Sequence, residues 1–308
     1  MEKPLVSVRM ITYNQEEYIS EAIESVLKQK VSFPYELIIG EDASTDGTAA
    51  IVDSYQKKYP DIIKVFHRPK NLGMKMNCRR TMQECYGKYV AVLAGDDYWN
   101  YEMKLQNQVE YLEQHEDVVA TAHNVYSIDK DGQIVDEEYI DFPIQKKHVY
   151  NKWHAMRLEL IGHSSSYVYR NIRYLLDKEQ WQAFLNCRIN GDLKVSYTLG
   201  MLGKVVCFED IWSCSRRLFE GSGWLAKTYQ RNLFYVLFNF DLEACRYLKT
   251  VFGVDVDVSE RLLDKLKKAN KLAVESSTKE NIVVAVKINI AYAIFLFKRE
   301  FNKIVKKE

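Results

Sequence analysis

The sequence is poor in the residues that mark several protein classes. Its 308 positions hold only 13 Gly and 5 Pro, too few for collagen-like repeats, low-complexity assemblies or a disordered chain. An excess of one charge is also missing, since 43 Lys and Arg face 42 Asp and Glu, for a net charge of +1. Dedicated nucleic-acid binders carry a strong basic excess, so that class is disfavoured. The cysteines (Cys78, Cys85, Cys187, Cys207, Cys214 and Cys245) form no CxxC pair and no tight cluster. Their spacing predicts reduced thiols in a cytoplasmic protein rather than a disulfide framework or zinc finger. The first residues, MEKPLVSVRM, run straight into a strand-like segment without the apolar core of a signal peptide. No N-x-S/T sequon occurs. The one candidate membrane segment, residues 282–297, is 16 residues long and is interrupted by Lys287 and Asn289. A spanning helix needs about 20 largely apolar residues.

Several catalytic signatures are absent as well. The chain has no GxGxxG, no GxxxxGK[ST] and no HExxH. His163-Ser164-Ser165-Ser166 lacks the closing glycine of a nucleophile elbow. The six histidines show no metal-ligand spacing and read as scattered structural or surface residues.

What is present is a chain that is 47% hydrophobic and 13% aromatic, ample for a buried core. Strand-like runs at residues 5–11, 35–40, 62–66, 89–94 and 118–126 alternate with helical periodicity at 16–29, at Ala49, Ile51, Val52 and Tyr55, at 74–85 and at 103–114. Ser44 or Thr45 is the expected cap of the second helix. Strands separated by helices of 10–15 residues predict an α/β fold with a mostly parallel central sheet, whose ligands bind at the carboxyl ends of the strands. After the turn Asp129-Lys130-Asp131-Gly132 the pattern becomes mixed, with strand-like pieces at 165–169 and 204–208 around a helix at 192–202. Helical periodicity follows at 225–252, 259–272 and 278–303, with Asp257 and Glu260 spaced as a capping box. The expected division is therefore 1–126, 127–224 and a C-terminal helical region, 225–308.

Four loops carry the chemistry. Thr12-Tyr13-Asn14 follows the first strand, where the ring can stack on a base, or the segment can simply cap a helix. Glu41-Asp42 opens the run EDASTDGT after the second strand; the acids can accept from a base N–H or a ribose hydroxyl, or serve a helix start. Ala94-Gly95-Asp96-Asp97-Tyr98-Trp99 ends a buried apolar strand, where carboxylates are costly without a partner. Paired carboxylates there suit Mg2+ or Mn2+ held jointly with substrate phosphates. Asn190-Gly191-Asp192 opens a helix, and Asp192 can be a general base or an N-cap.

Taken together, TYN…E (Thr12, Tyr13, Asn14, Glu16), EDASTDGT, Asn71 with Gly73, and AGDDYW resemble, in order and spacing over roughly residues 5–126, the nucleotide-sugar half of inverting family-2 glycosyltransferases. Gly191-Asp192 and Arg216-Arg217…Gly221-Ser222-Gly223-Trp224 resemble, more loosely, the acceptor-side elements of that family. The resemblance implies the GT-A fold and transfer of a sugar from a nucleotide-linked donor, commonly UDP-linked, to a glycan or lipid-linked hydroxyl. It implies that Tyr13 stacks on the base, that Asp42 contacts the base edge, and that Asn71 and Asn77 lie in a donor-contacting loop. It also places Asp96 and Asp97 at ribose and metal (Mn2+ or Mg2+), with Arg217 or Arg216 near the diphosphate and Asp192 as the catalytic base. Two departures stand out. Ala94 replaces an acid frequent in the family, leaving open which of Asp96 and Asp97 ligates the metal, and Glu41 stands where Asp is commoner.

Two rival readings remain at this point: a nucleotidyltransferase, whose basic glycine-rich loop is not found near residues 10–16, and a non-catalytic sugar-nucleotide-binding module. The expected setting is the cytoplasm, with peripheral contact at the inner face of the cell membrane through the basic, apolar C-terminal helices.

Overall fold

The computed structural model describes residues 3–135, 146, 148–187, 189, 191–217, 233–276 and 279–305; side chains are described in these ranges except at 233–236, 276, 279–280 and 297–305. Asn190, Gly221-Ser222-Gly223-Trp224, Thr278 and the expected helical start at 225–232 lie outside them. The chain forms two compact units divided between Arg217 and Leu218.

The first unit is built on one mixed sheet of order β3-β2-β1-β4-β8-β6-β9-β5, with β7 also on β9. Its centre is β1 (Val6–Thr12), flanked in parallel by β2 (Tyr35–Glu41) and β4 (Tyr89–Ala94), while β3 (Ile63–His67) extends the parallel edge. The inner three strands are buried almost throughout; their face toward α1 is apolar up to the strand ends, while the opposite face also carries Ser7, Arg9 and Glu36. Val6, Val8 and Met10 pack with Ile19, Ala22, Ile23 and Val26 of α1 (Ile19–Leu27), together with Leu37, Ile39 and Leu93. On the other face α3 (Met74–Gln83) lies so close to β2 that a Cβ on Gly40 would stand 2.0 Å from Thr81 Oγ1 and 2.6 Å from Asn77 Oδ1.

Beyond β4 the direction changes. β8 (Val168–Arg170) runs antiparallel between β4 and β6 (Val118–Ile128), and β6 then pairs in parallel with β9 (Lys204–Arg216). The short strands β5 (Tyr98–Trp99) and β7 (His148–Tyr150) both add to β9 antiparallel. β9 is far longer than the expected 204–208, because the exposed Glu209 and Asp210 interrupt its apolar pattern where the β6–β9 register shifts. The turn after β6 forms as expected: Asp129 Oδ1 accepts from the Asp131 and Gln133 N–H groups, and Gly132 takes φ 83°.

Two helix starts differ from expectation. α1 begins at Ile19 rather than Glu16, since residues 14–17 serve the loop contacts below. α2 (Thr48–Lys58) has Gly47, not Ser44 or Thr45, at its N-cap; Asp46, just before it, accepts from Thr48 N at 3.0 Å through Oδ1, while Ser44 and Thr45 turn to Asn14.

The second unit contains helices Leu233–Phe252, Ser259–Ser276 and Lys279–Val305. Phe238, Tyr247, Leu248, Leu262, Ala269 and Ile288 are buried in it. Asp241, also buried, is paired with Lys265 and with Arg261 at 3.5 Å. Asp257 accepts from Ser259 N at the start of the second helix. Among the described residues no helix is long and apolar enough to cross a membrane.

Candidate active site

Three loops converge at the carboxyl ends of the parallel strands, and main-chain bonds zip them to β1: Asp42 N donates to Thr12 O at 3.1 Å and Gly95 N to Ile11 O at 3.1 Å. Side chains complete the weave. Asn14, in the left-handed region at φ 52°, accepts from Thr45 N at 2.8 Å. Its own N–H donates to Ser44 Oγ, Gln15 N donates to Thr48 Oγ1, and Glu16 Oε2 accepts from Gly47 N at 2.5 Å. Asn and Asp tolerate the left-handed conformation better than other side-chain-bearing residues, which explains Asn at this bend. Thr12 Oγ1 donates to Gln15 Oε1 at 2.8 Å. Tyr13 stands half-buried beside this weave.

Glu41 and Asp42 are both buried but have different tasks. Glu41 turns back on its own loop, accepting from Ser44 N at 2.7 Å, and faces His67 Nδ1 at 3.3 Å. Burial works against a charged His67, but hydrogen bonds to Asp53 and Glu41 outweigh it and raise its pKa. Asp42 reaches across to the loop after β3, where its two oxygens accept from Leu72 N at 2.8 Å and Gly73 N at 2.9 Å. Asn71 Oδ1 takes the same Gly73 N–H, and Gly73 holds φ 80°, a backbone state that glycine supplies without strain. Asn77 is buried and committed at both ends of its amide, donating to Gly40 O at 2.7 Å and accepting from Arg68 Nε at 2.9 Å. Its observed contacts are packing contacts between α3 and β2.

The acidic pair closes the site. Asp97 is 4% exposed; its Oδ1 accepts from Arg216 N at 3.0 Å, and His163 Nδ1 stands 3.9 Å from its Oδ2. Asp96 is half-buried and is met by the Gln15 side chain. Both acids are pushed up to about 7, chiefly by burial, and for Asp96 next by the charge of Asp97. The Arg216 N–H, the Ser215 hydroxyl and the two arginines oppose this at Asp97. Each carboxylate thus resists ionisation while the other is charged.

The two arginines are buried rather than a solvated pair. Arg216 braces the acidic loop: Nε donates to Asp96 O at 3.2 Å, Nη1 to Asp129 O and Lys130 O, and Nη2 to Glu21 at 2.7 Å, with Tyr18 stacked at 4.5 Å. Arg217 donates to Ser127 Oγ at 3.2 and 3.3 Å. His163 was expected among scattered histidines, yet it stands beside Asp97. Ser165 N donates to its Nδ1 at 3.3 Å, which assigns the ring proton to Nε2, facing Ser215 Oγ at 3.0 Å. No spacing in the sequence reveals this, since Asp97, His163 and Ser215 come from three separate elements.

Asp192 lies in the first turn of α8 (Gly191–Leu202), where a carboxylate suits the helix dipole. It is 48% exposed and its Oδ1 is 3.6 Å from Arg9 Nη2. A depression of about 530 Å3 beside α1 and β5, lined by Glu21, Glu24, Lys28, Tyr55, Tyr98 and Tyr101 among others, contains none of Tyr13, Asp42, Asp96, Asp97 or Asp192. It is therefore distinct from the cluster at the strand ends.

Comparison with known proteins gives the family and the fold. The family model for glycosyl transferase family 2 matches residues 7–170, more than half of the chain. The chain belongs to that family. Within family 2 it is 40% identical over 127 residues to an uncharacterized protein of Mycobacterium tuberculosis, covering 41% of this chain and 37% of the relative. It is 40% identical over 111 residues to TuaG of Bacillus subtilis, a putative teichuronic acid biosynthesis glycosyltransferase, covering 36% and 42%. The chain thus spans less than half the length of these relatives. An uncharacterized glycosyltransferase of Methanocaldococcus jannaschii is 28% identical over 197 residues, covering 62% and 67%. The crystal structure of S. aureus TarS 1-349 in complex with UDP-GlcNAc superposes with a TM-score of 0.52 at 16% identity, covering 94% and 91%, which establishes the shared GT-A-type fold.

Proposed function

We propose that this family-2 chain transfers a sugar from a nucleoside diphosphate donor, UDP-linked, to a hydroxyl of a glycan or lipid-linked acceptor, with inversion at the anomeric carbon. The observation that carries the reading is the Asp96–Asp97 pair at the end of β4, Asp97 buried and Asp96 half-buried, inside the family match. TarS binds UDP-GlcNAc and TuaG is assigned to teichuronic acid synthesis, which supports a UDP-sugar and a cell-envelope polysaccharide here.

The donor set fits a divalent ion. Asp96 and Asp97 offer hard carboxylate oxygens whose own charges are opposed by burial. Among the described residues no group of three or more His, Cys, Asp or Glu gathers to hold an ion unaided. Mn2+ or Mg2+ would thus be held by Asp97 with Asp96 together with substrate phosphates, and would supply positive charge against that of the diphosphate. The protein's own groups do the rest. Tyr13 offers its ring to the base, and Asp42 fixes the loop of Asn71 and Gly73 from below. Arg216 holds the acidic loop in place through its backbone contacts. Asp192 takes the proton of the acceptor hydroxyl as that oxygen attacks the anomeric carbon and the nucleoside diphosphate leaves from the opposite face.

The test is product stereochemistry. Proton NMR of the glycoside formed from a panel of UDP-sugars should give the anomer opposite to the donor's, and Asp192→Asn should slow formation by roughly 100-fold or more. Retained configuration, or an active Asp192→Asn variant, defeats the mechanism.

Peripheral membrane contact at the inner face of the cell membrane belongs to the same proposal. On helix Lys279–Val305, Ile282, Val283, Val286, Ile290 and Ile294 are each 42–56% exposed, and the exposed Lys287 lies beside them. An apolar stripe with basic neighbours suits an anionic lipid surface. Co-sedimentation with phosphatidylglycerol vesicles should fall at least five-fold in Val286→Asp/Ile290→Asp; equal binding by that variant rules the stripe out.

A further inference from the structure

We propose that Arg9 is a positioning residue for Asp192: its guanidinium, rising from the central strand, fixes one oxygen of that carboxylate and leaves the other for the substrate hydroxyl. The inference rests on reading Asp192 as the base.

Arg9 is an unusual occupant of its position. It sits in the middle of β1, opposite Ile38 of β2 and Val92 of β4, and is 3% exposed. Its neighbours Val8 and Met10 face α1, so by strand alternation Arg9 faces the α3 side. There Nη1 meets Cys78 Sγ at 2.7 Å and Nη2 meets Asp192 Oδ1 at 3.6 Å. The ionisable groups around it are Cys78 from α3, Cys85 just beyond its end, Tyr169 from β8, and Asp192 and Lys194 from α8. Asp192 is the carboxylate among them. Lys194 is turned elsewhere, its Nζ donating to Phe184 O at 3.1 Å and lying 4.6 Å from the Phe184 ring.

Stability does not explain this arginine. A guanidinium taken into a sheet face loses its hydration, and its partner is half in water, so the ion pair returns little. An apolar residue of similar volume is usually neutral or better at such a place. Tyr169, on the same face and within electrostatic range of Arg9, buries a hydroxyl that has no hydrogen-bond partner. The cluster therefore carries polar cost at two positions.

Placement of Asp192 does explain it. The backbone there is already clamped, because a Cβ on Gly191 would stand 2.7 Å from Cys78 Sγ, so α8 starts in direct contact with α3. The side chain of Asp192, nearly half exposed, would otherwise be free to sample rotamers. Arg9 removes that freedom at Oδ1 and, as an arginine, stays charged at every working pH. In the reaction Oδ2 takes the acceptor proton, the acceptor oxygen bonds to the anomeric carbon, and the bond to the diphosphate oxygen breaks with its electron pair. Oδ1 remains paired throughout. Holding a base in its productive geometry raises turnover without adding donor affinity.

The experiment is a double-mutant cycle read in kcat. UDP release from the best-turned-over UDP-sugar and calorimetric affinity for UDP are compared in wild type, Arg9→Met, Arg9→Lys, Asp192→Asn and the two double variants. Arg9→Met should lose at least ten-fold in kcat while UDP affinity stays within two-fold, and Arg9→Lys should recover part of the loss. In the Asp192→Asn background neither Arg9 substitution should cost anything further. Should Arg9→Met fail to fold, the Arg9→Lys cycle reads the same coupling. Equal losses in both backgrounds, or wild-type kcat in folded Arg9 variants, overturn the inference. Full activity in Asp192→Asn alone instead defeats the base assignment, so the two failures are distinct.

Discussion

Replacing Asp97 by Asn should stabilise the metal-free protein, and the gain should grow with pH. Asp96 and Asp97 are raised from an ordinary 3.8 to about 7, by burial at both and by the charge of Asp97 at Asp96. The folded state then binds more protons than the unfolded state between those values, so folding is penalised as pH rises through that window. The penalty is absent below about pH 4 and complete above about pH 7. A rise of some three units at ~1.4 kcal/mol each sets an upper bound of ~4 kcal/mol for one proton of the pair. Relief by Asp97→Asn is therefore roughly 2–4 kcal/mol at pH 8, and less than half of that at pH 5. The Asn oxygen can still accept from Arg216 N, so the loop keeps its brace. Urea denaturation of both proteins with EDTA at pH 5 and pH 8 measures the difference. A variant less stable than wild type at pH 8, or a gap that ignores pH, refutes the electrostatic reasoning.

Other consequences are more local. Asp42→Ala removes the acceptor of Leu72 N and leaves Gly73 N with Asn71 Oδ1 alone, and should cost about 1–3 kcal/mol. Hydrogen exchange should show the Leu72 amide losing protection first, while unchanged protection there would mean that Asp42 is not its anchor. Gly40→Ala drives a methyl into Thr81 and Asn77 and should lower stability by about 1–3 kcal/mol in urea, without altering the loops at the strand ends. A neutral Gly40→Ala would show that α3 can lift away from β2.

Much of this was legible from local pattern. The inner strands β1, β2 and β4 are mostly apolar, so they stand out as strand-like runs, and three of the four loops follow them directly. The order of those loops was enough for the family assignment. What escaped depends on partners far along the chain. Ser44 and Thr45 have the chemistry of caps, but Asn14, some thirty residues earlier, claims them. β5 is two residues long and exists because β9 offers an edge. Arg216 and Arg217 stand in sequence only as two adjacent cations expected near a diphosphate, yet both are buried against main chain and hydroxyls of β6 and the acidic loop. Arg9 reads as an irregularity in a hydrophobic strand, and its partner is 183 positions away. Periodicity reports which face a residue occupies; it carries no information on which distant group meets it there.

The account stands most directly on nucleotide binding at the acidic pair. Calorimetric titration of UDP into the protein should show binding that strengthens at least ten-fold when Mn2+ is present. That Mn2+ dependence should vanish in Asp96→Ala/Asp97→Ala while the variant stays folded. UDP binding that ignores Mn2+ and both substitutions, or no binding in either condition, would contradict the claim that these loops form a donor site.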